Sequence, residues 1–456
     1  MIGKKVLTLV VVAVVIGGTS IFVTSHPTVA AGNQNIKLLD YKPAAKVNEN
    51  GYQIDKYENI ESVAWLNDSE VVTLTKKGCA PNSGGHGNIR YCSIYNLNTK
   101  KSKDFKDANI CDFLGVSPDK QYVLYAEVRN IPTDQKEWQK ALNSGDLLHR
   151  NIKVLNLTTG EITDLTTDKI NSDAEFKWVG NNKILINYFE KWTIIDTTGK
   201  VYTQGSYNTN KKGDTPWIAG TDDIKDLGDS VEGKFYYTQW RTGKGEIKAD
   251  ICSMDVKTKE IKIISSNKPC GQADKKGKTI IMDTYNNNGG PSPEGIYINR
   301  TFGALIMDES GKALQDIQLP KGRIESVTSS SNYILSPDGS RAVYVESDNQ
   351  IDPKGDVSES GPNVSIKVID TKTGAVKEVV KAVSLQDKNS ENDYSTIQVK
   401  DKDGTIKEKK IYRVPCISNM CWDSTSTSVS FTYGSSEIED TNNQPNINTY
   451  VISFYK

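Results

Sequence analysis

Few residues in this chain have the chemistry to bridge, ligate or attack. Seven cysteines are present, and proximity along the chain suggests three pairs: Cys79 with Cys92, Cys252 with Cys270, and Cys416 with Cys421. Cys111 is then left over, and Cys92 with Cys111 stays open as an alternative. No Cys-x-x-Cys and no His-x-His occurs, so disulfides are expected rather than a metal site. The three histidines, His26, His86 and His149, lie far apart and are read as leader or loop residues. Gly84-Gly85-His86-Gly87 has no Lys-Ser/Thr after it and is not a phosphate cradle. Asp401-x-Asp403-Gly404 with Glu408 has too few ligand positions for a calcium loop and reads as a hairpin turn. No Gly-x-Ser-x-Gly is present, so no serine hydrolase is read here. Acidic residues are plentiful, and a carboxylate pair of glycosidase or lyase type is the remaining catalytic option. No cofactor is implied.

The elements that must position any such group come from a repeated unit. Tyr333-Ile-Leu-Ser-Pro-Asp-Gly-Ser-Arg-Ala-Val-Tyr-Val-Glu346 reads as two strands joined at Ser336 to Gly339, with Pro337 presetting φ and Gly339 accepting a positive one. Residues 366–380 add two more short strands around a turn at 372–374, which completes an antiparallel meander. Six further meanders are read, with the residue before the inner turn at Trp65, Val116, Trp178, Asp229, Ala273 and Trp422. They recur at roughly 60-residue intervals with four strands each, which favours a β-propeller. The expected fold is therefore all-β with seven four-stranded blades, the alternative being six blades plus a C-terminal appendage. Residues 35–41 are expected to close the ring as the outer strand of the last blade.

The turn and its aromatic neighbour resemble the TolB-type propeller family, whose repeat carries an aromatic, then Ser-Pro-Asp-Gly, then a β-run. Ser336-Pro337-Asp338-Gly339 matches in full and Ser117-Pro118-Asp119-Lys120 in three of four positions, while Trp65, Trp178 and Trp422 hold the aromatic position. The resemblance covers most of the chain after about residue 55 and implies a propeller. Nothing matches that family's N-terminal α/β domain, so its partners are not carried over.

Composition bounds the location. The chain has 456 residues, 36% hydrophobic and 25% charged, with a formal charge of -1 and interspersed signs. It can bury a large core and shows no footprint for nucleic acid. Lys4 and Lys5 precede an apolar run from Val6 to Val23, and Val29-Ala30-Ala31 offers small residues for cleavage. Residues 1–31 are thus a signal peptide or a single N-terminal membrane anchor. Residues 32–456 form the propeller, with a charged insertion at 381–412. An exported monomer of the bacterial cell envelope is expected, secreted or anchored.

The position of the long connections carries the functional reading. Short turns fall on one face of the ring, whereas residues 76–89, 129–150, 285–301, 347–363 and 434–447 fall on the other. Insertions gathered on one face mark a binding face. Within it Trp138, His149, Arg150, Tyr285 and Asp352 are the candidate contacts, and residues 133–142 are expected to form a short helix. The expected function is a binding or scaffolding module for a protein or cell-surface glycan. The alternative is a propeller enzyme with carboxylates in its channel.

Overall fold

Tight turns held by an acid or amide side chain set the repeat. Asn96, Asn156, Asp196, Asp255, Asp308 and Asp370 each end a third strand, and each side-chain oxygen accepts backbone N–H groups two to four residues ahead. The turn is completed by a residue of positive φ, namely Lys100, Gly160, Gly199, Lys259, Gly311 or Gly374. The inner turn uses a related device. Ser336 Oγ donates to Asp338 Oδ1 at 2.6 Å, and Asp338 Oδ1 accepts the Ser340 N–H at 3.0 Å. Ser117 and Asp119 repeat this with a 2.6 Å bond, and Asp423 accepts from Thr427 N and Ser428 N in the last repeat.

A computed structural model describes residues 52–79, 88–128, 150–165, 174–188, 190–209, 215–219, 224–227, 230–243, 246–268, 270–287, 300–318, 323–325, 333–351, 357–381, 394–400, 406–412, 415–435 and 447–454, with Lys136 and Lys140. The chain divides into two units, Met1–Ala45 and Lys46–Lys456, and the first lies wholly outside the described residues. The second is an all-β, seven-bladed propeller. Blade 1 comprises Glu61–Trp65, Glu70–Cys79, Asn88–Asn96 and Lys101–Ile110, from the axis outward. Blade 2 comprises Asp112–Val116, Tyr122–Val128, Arg150–Asn156 and Ile162–Asp164; blade 3 comprises Glu175–Gly180, Lys183–Tyr188, Lys191–Asp196 and Val201–Ser206. Blade 4 comprises Thr215–Ile218, Lys234–Gly243, Glu246–Asp255 and Ile261–Lys268; blade 5 comprises Cys270–Lys276, Thr279–Asn287, Arg300–Asp308 and Ala313–Gln318. In blade 6 the inner strand is broken into Arg323–Glu325 and Ile334–Leu335, both paired with Arg341–Ile351, and Val357–Asp370 and Val376–Lys381 follow. Blade 7 comprises Pro415–Trp422, Ser428–Ser435 and Asn448–Phe454.

The fourth strand of blade 7 is Tyr52–Tyr57, paired from Tyr52↔Phe454 to Tyr57↔Thr449. Closure thus uses the expected device with a different segment, and residues 35–41 lie outside the described residues. Apolar packing makes the same ring. Each cluster of buried hydrophobics lies between two neighbouring blades: Val72, Phe105 and Tyr125 join blades 1 and 2, and Leu185, Trp192 and Tyr237 join blades 3 and 4. Seven clusters fill seven interfaces, the last being Trp65, Val71, Leu97 and Val451 between blades 7 and 1. A period-2 strand with both faces apolar is what such packing demands.

Two sequence expectations are corrected. The inner strand of blade 4 is Thr215–Ile218, not a segment ending at position 229, and the hairpin Lys225–Leu227/Ser230–Glu232 stands between it and the next strand; Asp229 itself lies outside the described residues. The three cysteine pairs do not bridge, because disulfides need Cα atoms within about 7 Å. Cys79 pairs across the ladder with Asn88 while Cys92 faces Leu74, which sets them several residues apart. Cys416 and Cys421 sit on one extended strand. Cys252 packs among Val179 and Trp192 on the blade 3 side, whereas Cys270 pairs with Thr284 in blade 5. Cys92, Cys111, Cys252 and Cys421 are each present as the thiol, and burial pushes the Cys92 thiol up to about 12. The insertion at 381–412 contains the expected hairpin, Tyr394–Lys400 with Ile406–Tyr412. Its turn and the calcium-like residues Asp401 and Asp403 lie outside the described residues, as does most of 133–142, of which Lys136 and Lys140 are helical.

Candidate functional site

Antiparallel order gives the ring two unlike faces. Turns between first and second strands, and between third and fourth, open on one face, here the turn face. The connections between second and third strands open on the other, here the arm face. On the arm face the hairpins differ in height. Blade 3 pairs only from Lys183↔Asp196 to Tyr188↔Lys191. Blade 1 continues to Cys79↔Asn88, blade 4 to Gly243↔Glu246, blade 5 to Asn287↔Arg300 and blade 6 to Ile351↔Val357. Three to five extra residues in the second strand, at about 3.4 Å each, carry these arms roughly 10–17 Å past the rim that blade 3 defines. Much of what reads as loop at 76–89, 285–301 and 347–363 is therefore paired strand.

Aromatic side chains stand at the same end. Tyr188 is 38% exposed on the last pair of blade 3. Trp217 and Trp240, both half-buried, lie with ring centroids 5.7 Å apart and planes 32° apart on the blade 5 side of blade 4. Trp217 Nε1 is buried and has no hydrogen-bond partner among the described residues.

Carboxylates open the inner strands at the arm-face mouth of the axis, in the order Glu61, Asp112 and Glu175 in blades 1, 2 and 3. Glu61 and Glu175 are engaged in joining blades. Arg90 Nη1 donates to Glu61 Oε1 at 2.9 Å and Arg90 Nη2 to the Cys111 carbonyl at 3.2 Å, while Asn419 of blade 7 reaches Glu61 at 3.4 Å. Burial raises the Glu61 carboxyl above its ordinary value, against the opposing pull of Arg90. Glu175 Oε2 accepts the Ile218 N–H at 2.8 Å, and Lys177 Nζ lies 3.5 Å from Glu175 while donating to the Ile218 carbonyl at 2.7 Å. Among the described residues no three His, Cys, Asp or Glu side chains gather to hold a metal ion. Groups pinned between blades in this way are poorly placed to serve as an acid and base pair.

Of the contacts expected from sequence, Trp138, His149 and Asp352 lie outside the described residues. The backbone of Arg150 opens the third strand of blade 2 opposite Val128, and that of Tyr285 pairs with Phe302. Both positions belong to the arm face. Tyr188, Trp217 and Trp240 were not singled out from sequence. The available signal was Thr215-Pro-Trp-Ile218, a short β-run that precedes the fourth repeat.

No family model matches this chain, and no curated protein matches it. Among solved structures it is similar to the β-propeller domain of the Trilobed protease from Pyrococcus furiosus, at 11% identity and a TM-score of 0.48, over 87% of this chain and 96% of that one. A chain from a study of two prolyl endopeptidases gives 12% identity and a TM-score of 0.46, over 85% of this chain and 48% of that one. A post-proline cleaving enzyme from Rickettsia typhi gives 10% identity and a TM-score of 0.40, over 86% and 50%. This chain thus spans about half the length of the latter two.

Proposed function

We propose that the protein is an extracytoplasmic binding or scaffolding propeller of TolB-like type, which recognises a protein or a cell-surface glycan with its arm face. The observation that carries this reading is the set of raised hairpins on blades 1, 4, 5 and 6, all on one side of the ring, against short capped turns on the other. Aromatics are the residues that supply contact area at low entropic cost, and Tyr188, Trp217 and Trp240 stand on that side. The chain ends agree with the polarity. Tyr52 and Phe454 pair at the turn-face end of blade 7, so the described chain enters and leaves on the face opposite the arms.

The test replaces residues 129–149 and 348–363 with two-residue turns and measures retention of the protein on intact cells of the organism that makes it. Retention is expected to be lost while the urea midpoint stays unchanged. Unaltered retention overturns the assignment of the binding face.

A further inference from the structure

The hairpin Tyr394–Lys400/Ile406–Tyr412 belongs to no blade. It is inserted between the outer strand of blade 6, which ends at Lys381 opposite Ser365, and the inner strand of blade 7, which begins at Pro415 opposite Ser435, so both ends of the insertion meet the ring on the arm face. Its two strands pair with each other from Tyr394↔Tyr412 to Lys400↔Ile406, and among the described residues neither has a second partner. Neither makes an extended contact with any other strand. The hairpin Lys225–Leu227/Ser230–Glu232 differs, because its Val231 is buried in the core between blades 3 and 4. A two-stranded ribbon standing alone is marginally stable in water at best, and a third strand is what ordinarily secures it.

The two edges of the ribbon are unlike. Ile406–Tyr412 carries Lys407, Glu408, Lys409 and Lys410, the charges that keep an edge from pairing. Tyr394-Ser-Thr-Ile-Gln-Val399 has no charge and no proline, is rich in strand-forming residues, and runs without a register shift. The outer edges of the blades are guarded by comparison. Lys101–Ile110, Ile261–Lys268 and Val376–Lys381 carry lysines, Tyr52–Tyr57 carries Asp55 and Lys56, Ala313–Gln318 carries Asp316, Ile162–Asp164 is three residues long, and Val201–Ser206 is bulged at Ile194/Ile195. An edge left bare where the others are guarded is fitted to accept a strand, since its alternating N–H and C=O groups match another extended backbone.

We propose that the edge Tyr394–Val399 binds an extended, acidic segment of a partner protein as a third strand. Charge selects the partner. In the two strands Lys400, Lys407, Lys409 and Lys410 stand against Glu408 alone, so an acidic segment is attracted, whereas a second copy of this chain would bring the same lysines and be repelled. The inference rests on the arm-face reading for the side on which the partner lies, and it narrows that partner to a protein.

The experiment titrates the full chain at fixed ionic strength with a fluorescent seven-residue peptide of alternating valine and glutamate, read by anisotropy. The controls are the same peptide with lysine for glutamate, and two versions N-methylated on all valines or on all glutamates. Saturable binding of the glutamate peptide is expected, with the lysine peptide at least tenfold weaker. Only alternate N–H groups of an added strand face the edge, so one N-methylated version should bind and the other should not. Ile397→Lys, which places a guard charge on the edge, should abolish binding with an unchanged urea midpoint. Lys409→Glu combined with Lys410→Glu should reverse the preference toward the lysine peptide, which a merely structural role would not do. No binding by wild type, equal binding by Ile397→Lys, equal binding of both N-methylated peptides, or a dimer in sedimentation that Ile397→Lys dissolves would each overturn the proposal. Trimming residues 129–149 and 348–363 leaves this hairpin intact, so peptide binding that persists while cell retention is unaltered by the trimming sinks the loop assignment alone, and the reverse pair of results sinks this one alone.

Discussion

Replacing Trp422 with Phe and Trp65 with Phe should have unequal costs, although both indoles end the inner strand of their blade and are 7% and 4% exposed. Trp422 Nε1 donates to the Ile334 carbonyl of blade 6 at 2.9 Å and so clasps two blades. Trp178 does the same to the Gly115 carbonyl of blade 2 at 3.2 Å. Trp65 Nε1 is buried with no hydrogen-bond partner among the described residues. Both substitutions remove similar apolar area, worth about 1 kcal/mol at roughly 25 cal/mol per Å². Trp422→Phe also removes a hydrogen bond between blades, for a further 1 kcal/mol or so, whereas Trp65→Phe removes a donor whose burial was already unfavourable. The expected costs are about 2 kcal/mol for Trp422→Phe and about 1 kcal/mol or less for Trp65→Phe. Urea unfolding followed by circular dichroism measures both. Equal costs, or a larger one at Trp65, would refute the clasp.

Other consequences follow from the turns. Gly339→Ala should destabilise by about 2–4 kcal/mol in the same assay, because φ is 70° and a Cβ would lie 2.7 Å from Thr279 Oγ1 and 3.1 Å from the Lys276 carbonyl. Lys120→Gly at the matching position should instead stabilise by roughly 1 kcal/mol, visible as a raised midpoint. Asp196→Ala should cost about 1–2 kcal/mol, since the carboxylate accepts from Thr198 N, Thr198 Oγ1 and Lys200 N at 2.8, 2.6 and 3.0 Å. For Asp196 and Asp338, burial works to raise the carboxyl, but hydrogen bonds from Thr198 and Lys200, and from Ser336, Ser340 and Ser426, outweigh it and hold both below the usual range. The native state therefore binds fewer protons than the unfolded one. Their contribution is complete above about pH 4 and is lost as pH falls through the depressed values. Urea midpoints of Asp196→Asn/Asp338→Asn should accordingly fall less steeply than wild type between pH 5 and 3.

The ring was legible in the sequence because its punctuation is chemical. Ser-Pro-Asp-Gly at 336–339 and the glycines at 160, 199, 311 and 374 mark turns that few other residues satisfy, and strands follow between them. A stronger signature passed unread. Asn96, Asn156, Asp196, Asp255, Asp308 and Asp370, each followed within four residues by a left-handed Gly or Lys, mark one corner of six blades more faithfully than the inner turn does. Blade 4 was misplaced because the hairpin at 225–232 separates its inner strand from the turn that should identify it. Cysteine pairing failed because sequence proximity says nothing about which neighbour a blade face addresses: Cys252 looks toward blade 3 and Cys270 belongs to blade 5. The two faces were readable from connection lengths. That the long connections are raised hairpins was not, since residues 347–351 and 357–363 are polar enough to pass for loop until paired.

The most direct test of the two-sided account places a photoreactive residue at Tyr188 on the arm face, or at Ser310 in a capped turn of blade 5 on the opposite face, and illuminates each protein on intact cells of its source. Covalent adducts from position 188 and none from position 310 are the predicted outcome. Adducts confined to position 310 would contradict it.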